Sequence, residues 1–186
     1  MDGKRRCKWC NERNESYVRY HDEEWGVQNF SDAYLYEMLL LECFQAGLSW
    51  ECVLNKREAF RAAFDGFAPE RVAAYGEEKI AQLLKNAGII RCRRKIEASV
   101  KNSRVFLDIV KEYGSFYNYI KGFTGGAVTV ECGQTTNALS DAIAKDLTRR
   151  KMKYTGSVTV YSYLQAIGVI QSHEEGCFLY QAPTKE

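Results

Sequence analysis

The sequence predicts an all-α fold, and three observations predict it. Apolar residues recur at 3/4 spacing along most of the 186 residues. Capping and breaking residues stand where those periodic runs begin and end. Only one short stretch, 128–130, reads as a strand. Hydrophobic content of 46% and charged content of 27% place the chain among globular proteins. No apolar run approaches membrane-spanning length.

The first strongly periodic helix starts at Ser31, an N-cap residue, and runs over 31–46. Ser49 caps a second helix over 49–64, which Gly66 and Pro69 break. Residues 77–87 are amphipathic through Ile80, Leu83 and Leu84. Gly88 follows at a C′ position, where it supplies a turn with φ > 0. Residues 94–113 form a helix on Ile96, Val100 and Leu107. The Gly-rich stretch 122–136 is a long loop, contains the short strand, and is the best candidate boundary between two lobes. Helices resume over 137–149 and 157–167.

A net charge of +2 does not by itself announce a nucleic-acid partner. The cations are nevertheless grouped: Lys4, Arg5, Arg6 and Lys8; Arg91, Arg93, Arg94 and Lys95; Arg149, Arg150, Lys151 and Lys153. Such groups are solvated helix ends or phosphate-contacting patches. The second group opens the second of two amphipathic helices joined at Gly88, the pattern of a helix-hairpin-helix. Backbone N–H groups around Gly88, with Arg91 and Lys95, can then hold a DNA phosphate. The same pattern also occurs in ordinary helical bundles.

Two constellations carry chemistry. Leu35, Met38, Leu39, Glu42 and Ala46 share one helical stripe, and four of the five belong in a core. A carboxylate there costs several kcal/mol unless it is paired or protonated, so Glu42 either has a use or lies at the solvent edge. Tyr17, Tyr20, Trp25 and Trp50 are near it in sequence. Aromatic faces and one acceptor suit a flat, cationic ring with N–H donors. The second constellation is a Cys7/Cys10 pair at one end and His173/Cys177 at the other. Zinc takes four tetrahedral S/N ligands. Cys7/Cys10/His173/Cys177 and Cys7/His21/His173/Cys177 both satisfy that rule. Unmetallated buried thiols are the alternative. Seven cysteines without a secreted framework, and a charged start that leads into no signal-peptide core, predict a reducing, cytoplasmic location.

Longer motifs then carry a resemblance. Tyr20-His21-Asp22-Glu23-Glu24-Trp25-Gly26-Val27, Leu41-Glu42-Cys43-Phe44-Gln45-Ala46-Gly47-Leu48-Ser49-Trp50 and Asn86-Ala87-Gly88-Ile89-Ile90-Arg91 resemble blocks of the TAG type of 3-methyladenine DNA glycosylase. Tyr161-Ser162-Tyr163-Leu164-Gln165-Ala166-Ile167-Gly168 is similar to that family's C-terminal helix. The resemblance spans about residues 7 to 177. It implies an all-helical member of the helix-hairpin-helix glycosylase superfamily, a single unit over 1–186. A zinc-stapled lobe (about 1–30 and 137–186) would stand beside a hairpin lobe (about 31–121). It implies one structural Zn2+ on Cys7, His21, His173 and Cys177, which leaves Cys10 over. It implies a base pocket of Glu42, Tyr17, Tyr20 and Trp50 with Trp9 and Trp25 at its periphery, and Leu48 as a wedge into the base stack.

The implied activity is monofunctional hydrolysis of the N-glycosidic bond of 3-methyladenine in alkylated double-stranded DNA, by a monomer. The chain departs from the family where Arg150-Lys151-Met152-Lys153-Tyr154 replaces Arg-Gly-Phe-Lys-Phe and Gln171-Ser172-His173 replaces Asn-Asp-His. These changes leave details of DNA contact and lesion range open. A catalytically silent, zinc-stapled DNA-binding module is the runner-up, and a glycosylase for another alkylated or deaminated base the third reading.

Overall fold

A computed structural model describes residues 3–182; Met1, Asp2 and 183–186, part of the unit expected over 1–186, lie outside the described residues. The order is α1 (Glu15–Glu23), α2 (Asp32–Gln45), α3 (Trp50–Leu54), α4 (Arg57–Ala63), α5 (Pro69–Ala73), α6 (Glu77–Lys85), α7 (Arg93–Tyr113), α8 (Phe116–Thr124), β1 (Thr129–Val130), α9 (Ala138–Arg149), α10 (Ser157–Ala166) and β2 (Ile170–Gln171). The helical fold class expected from periodicity holds. Among the described residues no helix is long and apolar enough to cross a membrane.

Helix α2 is the axis of the molecule. Ser31 caps it, its side chain accepting the Tyr34 N–H. Leu35, Tyr36, every residue from Met38 to Phe44, and therefore Glu42, are buried. A helix apolar all round must be wrapped by others, and α3, α7, α8 and α10 pack on it. Helix α7 is amphipathic and puts Ile96, Val100, Phe106 and Ile109 into the core. Its buried polar residues are satisfied: the Ser103 hydroxyl lies 2.6 Å from the Tyr36 hydroxyl and donates to the Ser99 carbonyl.

Several boundaries differ from the sequence expectation. The helix expected over 49–64 is two helices broken at Asn55 and Lys56. The Asn55 side chain accepts from Asn14 there (2.8 Å), docking α1 on α3. Short polar side chains that bond locally favour such breaks. The loop expected to begin at 122 starts later, because α8 runs through Gly122 to Thr124 and Gly125 ends it in a left-handed conformation. The short strand exists, but its partner is β2, far along the chain, in parallel register.

Gly88 also needs correction. Asn86, in extended conformation, ends α6, and Gly88 is not among the residues of positive φ. Space rather than φ favours glycine there: a Cβ would stand 3.0 Å from the Ala59 Cβ and 3.1 Å from Asn86 Oδ1, so these neighbours would have to give way. Gly168 combines both needs. Its φ is +75°, and a Cβ would lie 2.6 Å from the Gln28 backbone nitrogen. That approach brings the start of β2 against the segment after Trp25.

Candidate active site and metal centre

The site is built where α1, α2, α3 and the C-terminal segment meet. Asn14 caps α1 and its amide also donates to Glu51 on α3 (2.8 Å). This contact holds α1 against α3 so that Tyr20 faces Trp50, the two rings 5.2 Å apart, while Tyr17 meets Trp9 at 5.4 Å. The result is a cavity of about 470 Å³ lined by Trp9, Tyr17, Tyr20, Trp25, Glu42, Gln45 and Trp50 on one side. Cys132, Gly133, Gln134, Ser162, Gln165, Ser172 and Glu174 complete it. All six residues expected in the pocket and at its periphery thus line one cavity.

Glu42 is 3% exposed, and its Oε2 has no hydrogen-bond partner. Burial pushes its carboxyl up to about 8. The buried Trp50 indole N–H also lacks a partner. Buried polar atoms without partners are costly. Their convergence on a cavity marks it as a place for a polar, donor-bearing guest. Tyr20 is raised well above the usual phenol range by burial and by Glu42, so it stays a neutral phenol.

The aromatic wall continues into the second constellation. Trp9 stacks at an angle on Trp25 (4.8 Å) and on His21 (5.2 Å), and Trp25 meets the His173 ring edge-on at 4.7 Å. Cys7, His21, His173 and Cys177 are all buried, with one ligand atom from each within 4.8 Å of the others. Cys10 is buried but outside this group; its thiol faces the Tyr17 carbonyl at 3.9 Å. Of the two ligand sets the sequence allows, the geometry brings together the one with His21.

The donor set fits a tetrahedral cation. Cys7 Sγ is 3.5 Å from His173 Nδ1, Cys177 Sγ 3.5 Å from His21 Nε2 and 3.6 Å from His173 Nδ1. Metal–sulfur and metal–nitrogen bonds near 2.3 and 2.0–2.1 Å would give S···N edges of about 3.6 Å. The remaining ring nitrogens are engaged as second partners of such a site should be. His21 Nδ1 lies 2.7 Å from Asp22, and His173 Nε2 lies 3.3 Å from the Trp25 carbonyl. Arg6 holds Asp22 with two hydrogen bonds of 2.8 and 2.7 Å. Backbone N–H groups of Glu174 and Leu179 point at the two sulfurs (3.3 and 3.5 Å). Burial and His21 push His173 down to about 4, so its imidazole is neutral and able to ligate.

Leu48 sits 41% exposed in the turn between α2 and α3, beside the cavity residues Gln45 and Trp50. Arg91 is exposed after α6. Lys95 is directed elsewhere than expected: its Nζ donates to the Phe44 and Ala46 carbonyls (2.7 and 2.6 Å). It satisfies the C-terminal end of α2, so the expected phosphate contact gives way to a structural one.

Comparison with known proteins shows the family of this chain. The sequence model of the methyladenine glycosylase family matches residues 9–180. The chain belongs to the methyladenine glycosylase family. DNA-3-methyladenine glycosylase 1 of Escherichia coli K12 is 40% identical over 181 residues, 94% of this chain and 96% of the relative. A crystal structure of 3-methyladenine DNA glycosylase I (TAG) superposes with a TM-score of 0.90 at 40% identity, covering 95% of this chain and all of that one. A variant of 3-methyladenine DNA glycosylase I solved with 3-methyladenine gives 0.89 at 30% identity, over 96% and 99% of the two chains. The methyladenine glycosylase motifs quoted from the sequence contain Glu42, Gln45 and Trp50, and also Ser162 and Gln165 of the far wall, though Gln45, Ser162 and Gln165 were not expected to line the pocket. Gln45 follows Glu42 by three residues, and Ser162 and Gln165 are a half-buried polar i, i+3 pair among the buried residues of 160–166, so spacing could have found them. The 132–134 loop carries no such signal.

Proposed function

We propose that this DNA glycosylase hydrolyses the N-glycosidic bond of 3-methyladenine in alkylated DNA, with the base turned out of the stack into the cavity at Glu42. The observation that carries this reading is the buried, unpartnered Glu42 carboxyl among Trp9, Tyr17, Tyr20, Trp25 and Trp50. Methylation at N3 leaves the nucleoside base cationic. A cationic ring is attracted by aromatic faces, and its exocyclic N–H groups offer the donors Glu42 lacks. The guest's charge also draws the Glu42 proton off, reversing the effect of burial.

The reaction needs little from the protein beyond binding. The C1′–N9 bond breaks with its electron pair passing to the base, which leaves as neutral 3-methyladenine. Water adds to C1′ and releases a proton to solvent. A leaving group that is already positive requires no general acid. Ionised Glu42, accepting N–H hydrogen bonds, holds the ring in place. Turning the base out costs a few kcal/mol, less for a damaged base. Leu48, exposed at the rim, fills the vacated space. Arg91 and the turn at Gly88 hold phosphates as part of a helix-hairpin-helix.

Zinc would be held by Cys7, His21, His173 and Cys177. When bound, a four-ligand zinc with no open position contributes folding free energy rather than a reactive water. Here it would tie the chain's first turn to its last. It would also brace Trp9 and Trp25, which touch the two histidines. The test of the function is incubation of the protein with methylated duplex DNA and identification of the bases released. Free 3-methyladenine is expected; its absence, with a folded protein, would reject the reading.

A further inference from the structure

The clustered cations fall into two classes. Arg93 is paired with Glu77 (2.8 Å) and Glu97 (3.3 Å), and Arg150 with Glu112 (2.6 Å) and Asp146 (2.7 Å). Arg149 is also taken up by Asp146, and Lys95 by backbone carbonyls. Arg94, Lys101 and Lys153 are exposed and have no ion pair among the described residues. These three line one cavity of about 460 Å³ with Tyr154, Ala98 and Glu97. Glu97 is drawn toward Arg93, so the groove keeps an excess of positive charge.

The groove is built rather than incidental. Arg94 and Lys101 are seven residues apart on α7, hence on one face. Lys153 comes from a separate segment that is locked in place. The buried Asn102 donates to the Lys153 carbonyl and accepts its N–H, both at 2.8 Å. Lys151 and Tyr154 on either side hold left-handed φ values of +74° and +58°, which side-chain-bearing residues rarely adopt. A lysine on a backbone fixed in this way is positioned before any partner arrives.

Its location relates it to the base cavity. The Cys43 thiol reaches the same Lys153 carbonyl at 3.7 Å, and Lys95 connects the Phe44 and Ala46 carbonyls with the Tyr154 ring, 5.9 Å from its Nζ. The groove therefore adjoins the last turn of α2. The same turn presents Glu42 and Gln45 to the cavity, and the next turn exposes Leu48. DNA with a nucleotide in that cavity must continue past this corner.

We propose that Arg94, Lys101 and Lys153 form a second phosphodiester site, which grips the substrate duplex beyond the turned-out nucleotide. It rests on the DNA glycosylase reading and is separate from the turn at Gly88. Unpaired cations converging on a groove match a polyanion, and each phosphate held should release a counterion. The test is binding of the full chain to a short undamaged duplex over a salt series, for wild type and Lys101→Gln/Lys153→Gln. The double variant should lower the slope of log affinity against log salt by about 2. It should keep its melting temperature and its affinity for free 3-methyladenine, read by tryptophan fluorescence. Lys101→Arg/Lys153→Arg should restore the wild-type slope. A folded double glutamine variant with the wild-type slope would overturn the proposal. The parent reading fails separately, if wild type releases no 3-methyladenine while its salt slope still depends on these lysines.

Discussion

In the proposed reaction, Glu42 concentrates the chemistry in one side chain. In the free protein its carboxyl is held up to about 8 by burial. If the ionised form receives the cationic base, kcat/KM should rise with pH and level off near 8, because that ratio reports the free enzyme. The kcat limb should lie lower, since bound cation favours ionisation. A stopped assay from about pH 5.5 to about pH 9 on alkylated DNA checks both limbs. Coinciding limbs, or a flat profile, would count against ionised Glu42. Stability carries the opposite sign. The folded state keeps the proton up to about 8 while the unfolded chain releases it near 4.5. The stabilisation present below the lower value is lost as pH rises through the upper one. Glu42→Gln has no such proton, so its melting temperature should gain on wild type steadily between about pH 5 and about pH 8. Glu42 could be read from sequence because an acid interrupted an apolar stripe. Ser172, buried and lining the same cavity, could not, since no periodic element surrounds it.

At the level of elements, the long periodic helices were legible and the connections were not. Helices α2, α7, α9 and α10 begin within a residue or two of where caps and stripes predict them. Helix α1 has a polar sequence whose burial depends on Trp9 and Trp50, so its own pattern gave no warning. The pairing of β1 with β2 is a contact between distant segments that no local pattern encodes. Gly88 shows a right residue with a wrong reason, because space rather than φ selects glycine. Gly88→Ala should therefore cost about 1–3 kcal/mol by crowding Ala59, measured by urea unfolding; a neutral or stabilising outcome would mean the α4–α6 contact gives way. The metal element makes a cleaner test. Metal analysis should find zinc retained in Cys10→Ser and lost in His21→Ala. Zinc lost from the first and kept by the second would restore the ligand set with both N-terminal cysteines. Chelation should lower the melting temperature by several degrees, as expected when a closed site supplies folding free energy.

At the scale of the whole molecule, three regions that the sequence scatters contribute: the α2 corner with Glu42 and Leu48, the Cys/His cluster against the aromatic wall, and the basic turn near Arg91. Arg91→Gln should weaken binding to any duplex and reduce its salt slope by about 1. Leu48→Ala should leave that slope unchanged and lower excision by about tenfold or more, since the gap in the stack stays open. Binding titrations with undamaged and alkylated duplex separate the two effects. The central claim, that Glu42 in this cavity reads the methylated base, is tested most directly by free 3-methyladenine release from methylated DNA by zinc-loaded, folded Glu42→Gln beside wild type. Loss of a charge-assisted hydrogen bond, worth about 1.5–3 kcal/mol, predicts kcat/KM lower by about 10- to 100-fold with duplex affinity unchanged. Wild-type release by that variant would contradict it.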